Sequence, residues 1–146
     1  MTGLNKETER MLADTALAAR ERAYAPYSSF TVGAALLAAS GAVYTGVNIE
    51  NAAFSPANCA ERTAFFKAVS EGERGFLAIA IAGAKAGAPA LSFCAPCGVC
   101  RQVMLEFCDP KRFMVLLARS DGEIRKVPLD ELTPFAFTPD QVLPKS

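Results

Sequence analysis

Two short stretches of this chain hold residues whose types and spacing are able to do chemistry. They are Cys59-Ala60-Glu61 and Pro96-Cys97-Gly98-Val99-Cys100-Arg101-Gln102. Two cysteines separated by two residues clamp one tetrahedral ion, and a third thiolate from Cys59 makes three protein ligands. Three ligands with an open fourth position is the arrangement of a catalytic zinc site, whereas four closed ligands would be structural. Zinc so held lowers the pKa of bound water from about 15.7 towards ~7. Glu61, two residues from a ligand, could take the proton of that water and pass it to a leaving group. Three thiolates outweigh the charge of Zn²⁺, so such a site needs compensation. Two sources are visible: the positive ends of helices that begin at both cysteine clusters, and Arg62, which could hydrogen-bond a ligand sulfur from behind.

On spacing alone other readings stay open. Asn58 and Glu61 could form a capping box at a helix start. Cys97 and Cys100 could be a redox dithiol or half of a structural zinc site. Cys94, Cys97 and Cys100 open like an iron–sulfur run, but the fourth cysteine would be due three residues later and the next is Cys108. Cys94 and Cys108 therefore read as buried small hydrophobes. Arg101 and the remaining basic residues read as solvated surface.

The whole chain supports a small, intracellular enzyme. It has 146 residues, 51% hydrophobic and 21% charged, which fits one domain over residues 1–146 with a sizeable core. Lys+Arg and Asp+Glu are 15 each, so a strong electrostatic grip on nucleic acid or an anionic membrane is not expected. Five cysteines and no histidine exclude every mechanism with a histidine base or ligand. Residues 1–10 are polar and charged, without the apolar stretch of a secretory signal. The longest weakly polar runs, such as 76–84, are too short to span a bilayer. A reducing, cytoplasmic compartment is the expectation, where clustered cysteines mean metal or catalysis more often than disulfides.

The elements that must position these residues can be read from periodicity. Residues 7–22 carry Met11, Leu12, Thr15, Ala16, Ala19 and Ala23 close by at helical spacing. Tyr24-Ala25-Pro26-Tyr27-Ser28-Ser29 stops that helix. Residues 30–39 form a mostly apolar strand, Ser40-Gly41 a hairpin break, and 43–50 an antiparallel second strand. Along it Asn48 and Glu50 alternate with Val47 and Ile49 and so share one face. A helix starts at Ser55-Pro56, or alternatively at Asn58, and runs to about residue 71, closed by Gly72. Residues 76–84 form a strand buried on both faces, 98–107 a helix, and 113–118 another buried strand. A short strand covers 124–127, and 130–132 form one helical turn in a tail that holds Pro128, Pro134, Pro139 and Pro144. The order α-β-β-α-β-α-β-β implies a sheet covered on both faces, an α/β/α sandwich. Both cysteine clusters fall at helix starts, where active sites of such sheets gather.

Four strings in order carry a resemblance to a known family: Tyr27-Ser28-Ser29-Phe30-Thr31-Val32-Gly33-Ala34-Ala35, Asn48-Ile49-Glu50-Asn51-Ala52, Cys59-Ala60-Glu61-Arg62 and Pro96-Cys97-Gly98-Val99-Cys100-Arg101-Gln102. Over residues 12–142 the chain resembles the zinc-dependent cytidine deaminases, in particular the small homotetrameric type with an all-cysteine site. The resemblance implies a three-layer α/β/α fold with a mixed five-stranded sheet. It implies hydrolytic deamination of cytidine, and of deoxycytidine, to uridine or deoxyuridine and ammonia by zinc-bound hydroxide. Cys59, Cys97 and Cys100 match the zinc ligands and Glu61 the proton shuttle. Asn48 and Glu50 match the pair that holds the ribose 3′-hydroxyl, Phe30 the aromatic that packs on the pyrimidine, and Ala60 a backbone contact to the base. Phe54 stands where the family often has a tyrosine that reaches a neighbouring subunit's site. Phe137 lies where a C-terminal aromatic closes a neighbour's pocket, so the resemblance implies a homotetramer with shared sites. A deaminase of this fold acting on the nucleoside antibiotic blasticidin S is disfavoured by Asn48-Ile49-Glu50. A polynucleotide-editing relative is disfavoured by zero net charge and the lack of a basic-aromatic track.

Overall fold

In the computed structural model, which describes residues 4–143, five strands form one sheet in the order β2-β1-β3-β4-β5. In chain order the elements are α1 (Lys6–Ala19), β1 (Phe30–Ala38), β2 (Val43–Val47), α2 (Ala60–Ser70), β3 (Phe76–Lys85), α3 (Gly98–Phe107), β4 (Met114–Ala118) and β5 (Ile124–Pro128). Short 3₁₀ turns cover Arg20–Arg22, Leu129–Leu132 and Pro139–Gln141. The pairs β1–β2, β1–β3 and β4–β5 are antiparallel, while β3–β4 is parallel. A parallel pair needs a crossover, and α3 provides it. The sheet is therefore mixed, as expected.

The alternation of side chains along each strand divides the core into two halves. On one face Ala34, Leu36, Ile79, Ile81, Val115 and Leu117 pack with Ala64, Phe65 and Ala68 of α2 and Met104 and Leu105 of α3. On the other, Ala35, Leu37, Ala78, Ala80 and Leu116 receive Leu12, Ala13 and Ala16 of α1. Phe65 is fully buried, its ring 5.0 Å from Phe76 and 6.0 Å from Phe113. Burial of one such side chain contributes about 1.5–3 kcal/mol, and it fixes α2 over the sheet. Two glycines allow the close packing of helix on strand. A Cβ on Gly33 would stand 2.1 Å from the carbonyl oxygen of Ala16, and one on Gly46 would stand 2.2 Å from that of Ala60.

The structure departs from the sequence expectations at element ends. The first helix does not continue in α form to residue 22 but tightens into 3₁₀ after Ala19, where Arg20 turns its side chain inward to Thr31, Lys85 and Ala88. The second strand stops at Val47 rather than residue 50. Beyond it Ile49 leaves the ladder and bridges Tyr24 on one side and Asn58 on the other. That bridge, with N–H to carbonyl bonds of 2.9 Å in both directions, holds Asn58 extended. Neither Ser55-Pro56 nor Asn58 therefore starts α2, and the capping box with Glu61 does not form; the cap is Cys59, at φ −83° and ψ 159°. Other ends agree within a residue or two, the ordinary scatter of helix and strand limits. Pro144 and residues 1–3 lie outside the described residues. Among the described residues no helix is long and apolar enough to cross a membrane.

Candidate functional site

Two helix starts converge on one point. Cys59 caps α2 and Cys97 caps α3, each with extended backbone at the cap. Cys100 sits in the first turn of α3, where the i to i+3 spacing brings it beside Cys97. The sulfurs of Cys97 and Cys100 are 3.4 Å apart and those of Cys59 and Cys97 are 3.9 Å apart. All three lie within 4.8 Å of one another. Zinc–sulfur bonds of about 2.3 Å put tetrahedral sulfurs roughly 3.8 Å apart, so this donor set fits a zinc ion. Cys100 is buried, Cys59 half-buried and Cys97 exposed, which leaves one side of the cluster open to the adjoining cavity.

The electrostatics suit thiolates. Arg62 Nη2 donates to Cys59 Sγ at 3.1 Å, which sets a cation against that sulfur. The Cys100 thiol beside it and then this guanidinium hold Cys59 down at about 5, against burial, which opposes ionisation. Cys100 is pushed up, first by its hydrogen bond to the Cys59 sulfur and then by burial, so it is the partner that keeps its proton. Arg62 Nε is buried without a hydrogen-bond partner among the described residues. The backbone N–H of Cys100 also points to Cys97 Sγ at 3.5 Å, a helix-terminus donor aimed at a sulfur.

Glu61 follows in the first turn of α2 and is only 5% exposed. Burial first, and then the negative charge on Cys59, push its carboxyl up to about 7. A buried carboxyl poised near neutrality both accepts and donates a proton.

A cavity of about 480 Å³ opens onto the cluster. Phe30, Asn48, Glu50, Phe54, Cys59, Ala60, Glu61, Arg62 and Cys97 all line it, so most of the residues picked from sequence meet in one place. Asn48 reaches it from beyond the end of β2. Its Oδ1 accepts from Val32 N and its Nδ2 donates to the carbonyl of Phe30, each at 2.8 Å. This side-chain tie adds to the backbone bond from Asn48 N–H to the carbonyl of Val32 at 3.3 Å and anchors the strand end beside Phe30 at the cavity wall. Glu50 is held by a turn: its Oε1 accepts from the N–H of Tyr27 at 2.9 Å and of Ser28 at 3.1 Å, and Oε2 meets the Ser28 hydroxyl. These donors hold its carboxyl below the usual range. The two residues thus share a cavity without sharing a strand face.

The two aromatics expected to serve a neighbouring subunit's site both stand exposed. Phe137 does not line the cavity; it is 63% exposed, and its carbonyl accepts from Gln102 Nε2 at 2.8 Å. Phe54 stands at the cavity rim, 98% exposed. Arg101 is not solvated surface. Its Nε donates to the carbonyl of Pro96 at 2.9 Å and its Nη1 to that of Leu132 at 3.1 Å, bracing the loop that presents Cys97. Cys108 packs against the core as a small hydrophobe, its thiol pushed up by burial. Cys94 packs there too, but it also lines the cavity, with Val32 and Ala95. Sequence reasoning missed that role; the Cys94-x-x-Cys97 spacing was the available signal.

Comparison with known proteins agrees with this geometry. The family described as "Cytidine and deoxycytidylate deaminase zinc-binding region" matches residues 6–117. A cytidine deaminase of Sporosarcina psychrophila is 47% identical over 136 residues, covering 93% of this chain and 95% of its own. One from Halalkalibacterium halodurans is 50% identical over 134 residues, covering 91% and 96%. Among solved structures, a cytidine deaminase from Burkholderia pseudomallei superposes with a TM-score of 0.80 at 44% identity, over 92% of this chain and all of the other. The family match takes in well over half of the chain and the relatives are matched nearly end to end, so this chain belongs to the cytidine and deoxycytidylate deaminase family and carries its zinc-binding region.

Proposed function

We propose that this protein removes the amino group of cytidine, and of deoxycytidine, by hydrolysis, releasing ammonia and leaving uridine or deoxyuridine. The observation that carries this reading is Glu61, buried and poised near neutrality, beside three convergent cysteine sulfurs in a cavity that also presents Asn48 and Glu50. Cys59, Cys97 and Cys100 hold the zinc ion, which when bound supplies a Lewis acid that makes water nucleophilic near neutral pH. Glu61 takes the proton of the attacking water, gives one to the ring nitrogen, and later helps the C4 amino group leave as ammonia. Arg62 offsets the excess negative charge of the thiolates. Ala60 lines the cavity from the first turn of α2, where N–H groups have no partner within the helix, and its backbone meets the base. Phe30 packs on the pyrimidine, while Asn48 and Glu50 take the ribose 3′-hydroxyl.

The chain is one domain that acts on a small nucleoside, without nucleic acid or membrane. Phe54 and Phe137 are large, exposed and near the cavity or its supporting helix. They complete neighbouring sites in a homotetramer. Its five unpaired cysteines suit the reducing cytoplasm. The test is ammonia release from cytidine by zinc-loaded protein, with Glu61→Gln as the partner variant. Turnover in the wild type and a loss of about 10²–10⁴-fold in the variant, with zinc retained, are expected. No ammonia from the wild type, or full activity in E61Q, would overturn the reading.

A further inference from the structure

The sheet face beneath α2 and α3 runs along β3 through Ile79 and Ile81, both in the core, to Gly83. There the side chains stop, although Gly83 is buried. A Cβ at this position would stand 2.8 Å from Cys94 Sγ, 3.1 Å from Cε2 of Phe30 and 3.1 Å from Cγ2 of Val32. The three contacts come from two directions. Val32 is the cross-strand partner of Gly83 and Phe30 is the diagonal neighbour on the same face. Cys94 arrives from the loop ahead of Cys97. All three side chains line the catalytic cavity, and Gly83 does not. It borders instead a second cavity of about 460 Å³ that lies behind Phe30 and Cys94 and shares them as a common wall.

We infer that Gly83 is a positioning residue for the pyrimidine: its bare backbone sets how far Phe30, Val32 and Cys94 stand back from the substrate, and so sets the depth of the pocket. The inference rests on the proposed nucleoside site. A methyl group added at Gly83 presses on the Cys94 sulfur, the edge of the Phe30 ring and a Val32 methyl group together, so the wall they form against the substrate changes shape. The atoms it meets are all side-chain atoms, so rotamers yield before the backbone does. The register of β3 on β1 is fixed along its length by pairs from Phe30 with Lys85 to Ala38 with Phe76. The cost therefore falls on binding more than on the fold or on the metal centre. The shortest contact is to the Cys94 sulfur, so Gly83 and Cys94 are coupled: a side chain fits at one of them when the other gives up its outermost atom.

The experiment is a double-mutant cycle with Gly83→Ala, Cys94→Ala and the pair together. KM and kcat for cytidine, competitive inhibition by uridine, zinc content and unfolding midpoint are measured on each. In G83A the KM for cytidine and the inhibition constant of uridine rise together by about tenfold, the equivalent of ~1.4 kcal/mol. In the same variant kcat stays within about threefold and zinc content is unchanged, a split that general loss of structure would not give. Adding C94A to G83A restores most of the affinity, because the sulfur that blocked the methyl group is gone. An unmoved KM in G83A, a KM rise that persists in full in the double variant, or a fall in zinc content matching the loss of activity would each overturn the inference. Active wild type with an unmoved G83A defeats this inference alone. Wild type that releases no ammonia from cytidine defeats the deaminase reading, and this inference with it.

Discussion

Replacing Gly46 with alanine is the most direct way to move the metal-binding end of α2. A Cβ there would lie 2.2 Å from the carbonyl oxygen of Ala60 and 2.6 Å from the nitrogen of Ala64. Both are backbone atoms, so no rotamer change makes room. Ordinary contact needs roughly 3.5 Å, and α2 must retreat from β2 by about 1 Å to reach it. Ala60 stands between Cys59 and Glu61, so the retreat is felt first at a sulfur and at the buried Glu61 carboxyl. Overpacking of this kind costs about 1–3 kcal/mol, which lowers the unfolding midpoint by roughly 3–10 °C. The effect on turnover is larger, since a misplacement near 1 Å costs on the order of 10²-fold. Calorimetry and ammonia release at saturating cytidine should therefore show Gly46→Ala folded, less heat-stable and about a hundredfold slower. A variant with kcat within twofold of wild type and an unchanged midpoint would refute the claim that close helix–strand approach positions the site.

Three further outcomes are expected. Arg62→Ala removes the cation that faces Cys59; zinc affinity falls about 10–100-fold, read as faster metal loss to a chelator, and retention equal to wild type would count against the role. Glu50 has a carboxyl held below its ordinary value by Ser28 and the Tyr27 and Ser28 amides. Its contribution is thus present above the unfolded pKa of about 4.3 and is lost as pH falls through the lower folded value. Measured in Glu61→Gln, where that carboxyl no longer titrates, the Kd of cytidine should stay flat from neutrality down to the ordinary carboxylate value and worsen only below it, and a rise between pH 7 and 5 would contradict this. Phe137→Ala should shift the protein to smaller species in analytical ultracentrifugation and lower activity per chain, and a fully active monomer would remove the roles given to Phe54 and Phe137.

The chemistry-bearing residues were legible in the sequence because cysteine spacing is short-range and its meaning barely depends on the fold. Cys97 and Cys100 meet as their spacing requires, while Cys59, 38 positions from Cys97, joins them because each cluster caps a helix and the fold brings the two caps together. The layered fold was legible for a similar reason: the apolar runs of β1, β3 and β4 are strong signals. What escaped reading depended on contacts between distant segments. Asn58 looks like a helix cap, but Ile49 holds it in a bridge that no local rule describes. Asn48 and Glu50 alternate as a strand would, yet one is tied to β1 and the other to a turn before it. Arg101 reads as a surface cation until its carbonyl partners at Pro96 and Leu132 come together. Cys94 reads as a packing residue, and its short spacing from Cys97, the one local sign of a place near the site, does not say that it lines the cavity.

The two cysteine caps have a consequence for the whole molecule. Cys59 and Cys97 are 38 positions apart, and the stretch between them holds β3, the middle strand of the sheet. An ion gripped by both acts as a removable cross-link around that strand. By the relation used for disulfides, closing a loop of this length withdraws about 4 kcal/mol of freedom from the unfolded chain. A cell short of zinc would thus lose a stitch as well as a catalyst. The heat tolerance of this protein becomes a gauge of its metal supply, and the metal-free chain is the form that proteases meet first.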